Sequence, residues 1–456
     1  MKTTRTVGGR PRRLPAAKPK TQGSKQLRRI DTRRIPKGYA EVRAFMTVRN
    51  EATRLPFVLQ HHRALGVDRF FVVDNDSNDG TLDLLRGEPD VHVFTTGASY
   101  AGASLGMQWV HQLLGEYGVA RWVTIIDADE YLVFPGCESL TLRDYCRAVE
   151  QAGFDAISAM VLDMYPEGPI ARAHPGRAAS LLHVCPFFDA TGYVITGVRH
   201  EMPSLHGGPR ARVFWPGLDL NLAARQLEGL LDRAWDDEQY QVLHPDVREA
   251  VAAGVVRSGL EHFLRYGRFE GRMVGIRPVP GWPERAYVEG NEGVAKAIAE
   301  GIIRSGLDHF IRFGQFEGRF PGSDTSPCLA VCPIVRWGTH MRFMTARHIL
   351  RGAKLNTSYE FGAAVLHFKM LDDFPVRALA EAKRGEHWLA GVEYERYAAA
   401  FAADPKLAAH YEGSERYAGS HQLVALGYMR EAFQSADAPD GGAFASRWIR
   451  PLGRPS

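Results

Sequence analysis

The residues best suited to chemistry stand at 127–130, Asp-Ala-Asp-Glu, directly after the mostly apolar, strand-like run 121–126. A continuous apolar run of this length fits a strand covered on both faces. In open α/β sheets, ligands bind just beyond the carboxyl ends of the strands. Two carboxylates one residue apart at such an end, Asp127 and Asp129, suit a hard divalent cation and, with it, a phosphate-bearing ligand. An Asp-X-Asp triplet alone is common in turns, so the competing reading is a capped turn after a strand. What surrounds the triplet decides between them.

Other polar residues close apolar runs in the same way. Arg49, Asn50 and Glu51 follow the strand-like segment 41–48. Asp74 closes 67–73 and opens the polar turn 74–81, where Asp76 and Asp79 shape the bend and Gly80 supplies backbone freedom. Asp163 follows the apolar segment 156–162. His367 lies inside the apolar run 363–368, and Lys369 alternates with it on the same strand face. Each has a structural alternative. Asn50 is a helix-capping type, and a lone histidine in an apolar run is ordinarily a satisfied core residue.

These residues need a frame. Leu55, Val58, Leu59, His62 and Leu65 recur at helical spacing, Pro56 sits where a first turn tolerates it, and Gly66 ends the pattern, which predicts a helix over 50–65. A further strand is expected at 91–94, and Leu105, Trp109, Leu113 and Tyr117 mark one face of another helix. Regular alternation of strand and helix argues for an α/β fold with a parallel sheet and right-handed crossovers.

Arg49-Asn50-Glu51, VVDNDSNDGT from Val72, DADE from Asp127, GGPRARVF from Gly207, VRW at Val335 and LHFKM from Leu366 together resemble a glycosyltransferase family 2-like catalytic domain with the GT-A fold. The resemblance covers roughly 40–216 and 326–380. It implies a Rossmann-like, mostly parallel sheet flanked by helices. It also implies a nucleoside-diphosphate sugar as donor, a saccharide, lipid-linked or protein acceptor, and Mn²⁺ or Mg²⁺ as cofactor. By the same resemblance Asp129 contacts the metal, Asp127 the ribose or the metal shell, and His367 completes that shell, where neutral imidazole favours Mn²⁺. Asp74 would meet the nucleobase or ribose, Arg49, Asn50, Glu51 and Asp76 would line the same pocket, and Lys369 would contact phosphate. Glu130 would orient a neighbour or touch the acceptor, and His348 is a weaker candidate for the metal pocket. Inversion at the anomeric carbon is implied as well, and it needs a carboxylate near the acceptor hydroxyl. Asp163 is the favoured base, with Asp189 and Glu201 as rivals. Arg210 and Arg212 would hold phosphate or an anionic acceptor, or form a solvated edge.

The rest of the chain bounds this reading. Its 456 residues allow two or three domains, with 45% hydrophobic and 10% aromatic residues, as in an ordinary folded protein. Five cysteines, sparse and odd in number, favour a reducing cytoplasm. No secretory leader or membrane-spanning run is visible. Residues 1–37 carry 13 Lys or Arg against Asp31 alone, a local balance of +12 that leaves −8 for the remainder. The segment 1–38 therefore reads as a basic disordered tail, a solvated leader or a contact for anionic phospholipid at the inner membrane face. Nucleic acid is not expected, because nothing downstream looks like a base-reading module.

An internal repeat interrupts the resemblance. The segment 256–272 returns 47 residues later at 303–319, with 12 of 17 positions identical. Each unit reads as two short helices closed by a glycine turn. The expected organisation is the tail, a catalytic domain over 39–216 and 326–385, an inserted helical module over 217–325, and a helical or irregular extension over 386–456. Two other functions compete with sugar transfer. A sugar nucleotidyltransferase would carry a glycine-rich phosphate loop where this chain has Arg49-Asn50-Glu51-Ala52-Thr53-Arg54. An inactive scaffold acting as a binding module would not need Asp127, Asp129 and His367 intact. Assembly of bacterial surface polysaccharide is the setting the resemblance suggests.

Overall fold

The apolar runs become the strands of one mixed sheet. In chain order they are β1 (Arg28–Arg29), β2 (Arg43–Val48), β3 (Arg69–Asp74), β4 (Val91–Thr95), β5 (Trp122–Ile125), β6 (Glu130–Val133) and β7 (Ala156–Asp163). Short strands β8 (Phe187–Asp189), β9 (Tyr193–Gly197) and β10 (Ser204–Gly207) follow. Beyond a helical insertion come β11 (Ala330–Arg336), the hairpin β12 (Arg342–Thr345) and β13 (Ile349–Arg351), β14 (Ala363–His367), β15 (Ser414–Arg416) and β16 (Trp448–Leu452). The structure is a computed structural model that describes residues 27–38, 40–197, 204–218, 230–291, 293–315, 327–356, 361–387, 391–431 and 448–452.

Among the described residues the main sheet has the order β1-β4-β3-β2-β5-β11-β7-β14-β6. β2 is parallel to β3 and β5, β3 to β4, and β7 to β14. β11 is antiparallel to both β5 and β7, so these two point the same way. Six of the nine strands therefore run in one direction and present their carboxyl ends at one edge. The period-2 alternation of strands sends Ala44, Met46, Val48, Phe70 and Val72 to one face and Phe45, Phe71 and Val73 to the other. Helices α1 (Leu55–Ala64), α2 (Thr81–Gly87) and α4 (Leu142–Gln151) pack on the first face and α3 (Met107–Leu113) on the second. Each fully buried side chain of this size contributes about 1.5–3 kcal/mol, so the sheet is a rigid platform for whatever its edge carries.

Several elements differ from the sequence reading. α1 begins at Leu55, not at 50, because Asn50 has φ 54°, a left-handed conformation that no helix interior accepts. The basic tail is shorter than 1–38. Residues 27–38 are laid along the sheet, with β1 antiparallel to β4. Asp31 fixes them by accepting from Arg29 Nη2 at 2.8 Å and from Val93 N at 2.9 Å. This segment covers the β4 edge, which would otherwise expose unpaired backbone groups. Residues 1–26 lie outside the described residues.

The two repeats form one hydrophobic cluster, from Leu230 to Ile311. Each unit has three short helices, not two: Asp237–Leu243, Pro245–Ala252 and Gly259–His262 in the first, Glu284–Gly290, Val294–Ala299 and Gly306–His309 in the second. The local bonds are duplicated. Ser258 and Ser305 cap the third helices by accepting from Glu261 N and Asp308 N. Tyr240 Oη meets His262 Nδ1 at 3.2 Å, and Tyr287 Oη meets His309 Nδ1 at 2.9 Å. Asp237 accepts from Gly259 N and Leu260 N, and Glu284 does the same for Gly306 N and Leu307 N. The end of the second repeat copy, from 316, lies outside the described residues.

The described residues beyond 386 pack against the sheet domain. The helix Val392–Ala403 buries Tyr397 and Phe401 in the cluster that holds Phe374, while β15 pairs with β8 and β16 with β9.

Candidate functional site

Strand register builds the centre of the site. β14 runs parallel to β7 with His367 opposite Asp163, and antiparallel to β6 with His367 opposite Glu130. The short connection 126–129 crosses the sheet edge from β5 to β6, and Phe368 N donates to Asp129 O at 2.7 Å. The imidazole is thereby held between two carboxylates. His367 Nδ1 lies 2.6 Å from Asp163 Oδ1, and its Nε2 lies 3.3 Å from Asp129 Oδ2. All three residues are buried.

Burial alone would neutralise such groups, and their neighbours reverse this. Burial lowers the His367 pKa, but Asp129 and Asp163 outweigh it and push the value up to about 9. Burial raises Asp129, yet His367 holds its carboxyl well below the usual range. Asp163 is likewise lowered against burial by Arg210 and His367. A neutral Nε2 lone pair facing a carboxylate would be repelled, so a proton or a cation must stand between His367 and Asp129.

The line of charges continues. Asp163 Oδ2 accepts from Arg210 Nε at 2.7 Å, on α5 (Gly208–Phe214). Arg210 Nη1 is 3.6 Å from Glu393 Oε1, which also accepts from Tyr397 Oη at 2.5 Å. Lys369 Nζ lies 3.7 Å from the same oxygen and donates to Tyr394 Oη at 3.1 Å. Its charge acts back on Asp129. Six charges thus alternate in sign: Asp129, His367, Asp163, Arg210, Glu393 and Lys369. Burial raises Glu393, but Lys369 and Arg210 hold it below the usual carboxylate range.

Two expectations change here. Asp163 is 1% exposed and both of its oxygens are engaged, so it presents no open face to an acceptor hydroxyl. It orients His367 instead. Lys369 does not share a strand face with His367, because β14 ends at His367 and Lys369 turns toward the helix Val392–Ala403.

Asp127 is held apart from this line. Arg347 lies in the turn between β12 and β13, just after Ala346 at φ 41°. Its guanidinium donates to Ile125 O at 3.0 Å, to Glu130 at 2.8 and 2.7 Å, and to Asp127 Oδ2 at 2.8 Å. The Asp127 side chain is 55% exposed, yet its neighbours still strip part of its solvent. That desolvation raises its pKa to about 6 against the pull of Arg347. Glu130 is occupied by Arg347 and also accepts from Asp127 N. Nothing in the sequence singled out Arg347, which sits next to His348 in an unremarkable Ala-Arg-His triplet. His348 itself bonds Ala330 O at 2.7 Å and does not join His367.

The other end of the carboxyl edge carries the polar turn. Asn50 N donates to Ser77 Oγ, and Asn50 Oδ1 accepts from Asn78 N at 2.8 Å, so Asn50 shapes the loop. Arg49 Nη1 donates to Asn75 O at 2.7 Å and lies 3.8 Å from Asp76, whose side chain is 77% exposed. Glu51 is buried and takes both Nη groups of Arg377, at 2.9 and 2.6 Å, which ties the loop before α1 to the helix Phe374–Arg384. Burial raises its pKa, with Arg377 and Arg54 opposing. Asp74 Oδ2 accepts from Ser77 N, while its Oδ1 is buried without a hydrogen-bond partner among the described residues. The end of the helix Phe374–Arg384 and the residues after it strap these loops. Arg384 donates to Asn75 Oδ1 at 3.1 Å, and Glu386 accepts from Ser99 Oγ and Ala101 N.

Asp189 and Arg212 form a bidentate pair away from the centre, at 3.0 and 2.9 Å, with Tyr165 Oη on the same carboxylate. Glu201 lies outside the described residues. Among the described residues no three His, Cys, Asp or Glu side chains are grouped to hold a metal. The donor pair Asp129 Oδ2 and His367 Nε2 nevertheless has the separation of neighbouring ligands on one cation, each about 2.1 Å from it. Asp163 on Nδ1 is the outer partner that fixes a ligating histidine. Two protein ligands completed by phosphates and water are an ordinary shell for Mg²⁺ or Mn²⁺.

No family model matches the chain. Among curated proteins it is similar to a glycosyltransferase family 92 protein of Oryza sativa subsp. japonica, 33% identical over 101 residues, which are 22% of this chain and 17% of that protein. It is also similar to a glycosyltransferase family 92 protein of Ricinus communis, 25% identical over 146 residues, 30% of this chain and 25% of that protein. The chain spans a quarter or less of the length of these curated relatives, and they carry the family 92 name where the motifs resembled family 2. Similar solved structures include a 4-diphosphocytidyl-2C-methyl-D-erythritol synthase, 19% identical over 31% of this chain and 67% of that one, with a TM-score of 0.20. Another is described as a glucose-1-phosphate thymidylyltransferase from Bacillus anthracis in complex with a sucrose, 9% identical over 29% of this chain and 57% of that one, with a TM-score of 0.19. Scores this low add nothing to the assignment.

Proposed function

We propose that the chain is a metal-dependent glycosyltransferase that moves a sugar from a nucleoside-diphosphate sugar to a saccharide, lipid-linked or protein acceptor, with inversion. The observation that carries this reading is the buried line Asp129–His367–Asp163 at the carboxyl edge of the sheet. The similarity to two family 92 glycosyltransferases supports the reaction class.

Asp129 Oδ2 and His367 Nε2 would hold Mn²⁺ or Mg²⁺, with Asp127 facing the ribose or the outer shell from the mouth of the site. When bound, the cation supplies Lewis-acid neutralisation of the diphosphate leaving group. Asp163 fixes the imidazole so that Nε2 points at Asp129. Lys369 and Arg377, whose charges both act on Asp129, add positive potential where phosphate would lie. Arg49 and Asp76 stand at the mouth of the nucleotide loop, and Asn50 and Glu51 hold its shape. Asp74 Oδ1, buried and unpartnered among the described residues, would accept an N–H of the base or a ribose hydroxyl. No helix among the described residues is long and apolar enough to cross a membrane. Contact with an anionic inner membrane surface would fall to the basic N-terminal residues.

The test is a thermal-shift titration with nucleoside diphosphates and sugar nucleotides, with and without Mn²⁺. A ligand at 100 times its dissociation constant stabilises the native state by about 2.7 kcal/mol. A shift with one nucleotide that requires Mn²⁺ supports the reading and names the base. A folded sample that shifts with none would overturn it in favour of a binding scaffold.

A further inference from the structure

An inverting transfer needs an ionised carboxylate with a free oxygen next to the acceptor, and the carboxylates around the site separate clearly by what already occupies them. Asp163 has both oxygens engaged, by His367 and Arg210. Asp189 is taken by Arg212 and Tyr165, Glu51 by Arg377, and Glu130 by Arg347. Asp127 is open, but it belongs to the Arg347 side of the edge. Glu393 is different. Its contacts with Tyr397, Arg210 and Lys369 all converge on Oε1, no hydrogen bond reaches Oε2 among the described residues, and the side chain is 25% exposed. Lys369 Nζ lies 3.7 Å from Glu393 Oε1, and its charge acts on both Glu393 and Asp129. The residue lies on the helix Val392–Ala403, outside the stretch that resembles a catalytic domain.

We propose that Glu393 is the general base, an inference that rests on the reading of the chain as an inverting glycosyltransferase. The acceptor O–H proton passes to Glu393 Oε2, and the freed oxygen pair forms the new bond to the anomeric carbon. The bond from that carbon to the diphosphate oxygen breaks, and its electron pair leaves on the diphosphate. Neutral Glu393 then returns its proton to solvent. The division of labour within the carboxylate is part of the assignment: Oε1 is held by Tyr397 and the two cations, so Oε2 points in a fixed direction. Lys369 and Arg210 keep the group ionised before each turnover.

The test uses the full chain and needs no known acceptor, because water can take the acceptor's place. Wild type, Glu393→Gln, Glu393→Asp and Asp129→Ala are compared for Mn²⁺-dependent nucleotide release from UDP-glucose, UDP-galactose and GDP-mannose, and for thermal shift with UDP or GDP plus Mn²⁺. Glu393→Gln preserves the Oε1 contact with Tyr397, so the shift should match wild type while release falls about 10²–10⁴-fold. Glu393→Asp should recover part of the rate. Asp129→Ala should lose both the shift and the release. Release by Glu393→Gln within about threefold of wild type would overturn the assignment, as would loss of its nucleotide shift, which would mark a structural role. A wild type with no metal-dependent shift would instead overturn the glycosyltransferase reading, and this proposal with it.

Discussion

The repeat module and the carboxyl edge of the sheet use polar residues in opposite ways. In the module the duplicated polar side chains are spent within their own unit: a serine caps its own helix, an acid ties down the start of the third helix, and a tyrosine meets a histidine 22 residues on. The whole set is then repeated. At the carboxyl edge the interacting charges come from positions 129, 163, 210, 367 and 393, and each is chosen by strand register or helix docking. Local, duplicated bonds make a fold. Distant residues of alternating charge, gathered at one edge and held at the cost of desolvation, are what a reaction site requires.

The comparison predicts different consequences for damage in the two regions. The largest effect is expected from Asp129→Ala, which should lower nucleotide release by at least about 10²–10³-fold with the fold retained, read by chromatography beside a melting curve. Undiminished release in that variant under chelation would break the comparison at its centre. Asp163→Asn should weaken Mn²⁺ binding about 10–100-fold, through the orientation of His367. It should also cost about 3–5 kcal/mol in urea unfolding, because Arg210 loses its buried partner.

Acid should reach the edge through α1. His62 donates from Nδ1 to Val58 O and accepts from Leu132 N at Nε2, so it must be neutral in the fold, and burial lowers its pKa to about 3. His61 is lowered to about 4 for the same reason. The unfolded chain protonates both near pH 6.5, so their contribution is complete above that value and is lost as pH falls toward 4. The expected slope approaches about 1.4 kcal/mol per pH unit for each histidine. Replacing His62 with Gln should flatten the decline in melting temperature, and an unchanged slope would remove His62 from the account. The smallest effects belong to the module. A Cβ on Gly267 would lie 2.1 Å from Tyr240 Oη, and one on Gly314 equally close to Tyr287 Oη. Either alanine substitution should cost about 1–3 kcal/mol, with release unaffected. Unequal costs would show that the duplicated bonds are not equivalent.

The sheet was legible because its signals are local. Runs such as 70–73 and 159–162 are apolar throughout, and periodicity is enough to read them. Asp129, His367 and Asp163 could each be singled out from their place at strand ends, but their partnership depends on register between segments some 200 residues apart. That is why Asp163 read as a free base when it is a clamped orienter. Arg347 and Glu393 carried no signal at all. One sits in a tight turn after a left-handed alanine, the other in an Ala-rich helix, and only packing brings them to the edge. The tail boundary was missed because a basic, Pro-containing segment scores as disordered whether or not one aspartate, Asp31, pins it to a sheet edge.

The position of β11 has a consequence for how the molecule is made. It lies between β5 and β7, yet it is synthesised after both of them and after the whole repeat module. Until residues 330–336 emerge, the group β4-β3-β2-β5 and the strand β7 each keep an open inner edge, apolar on both faces. A nascent chain in that state has one partial sheet, the strands β6 and β7 still without their sheet neighbours, and a helical insert that can bury its own core first. Closing such a long loop late makes folding slow and leaves the open edges exposed to pairing with other chains. The strand that joins β5 to β7 is therefore also one on which escape from aggregation depends.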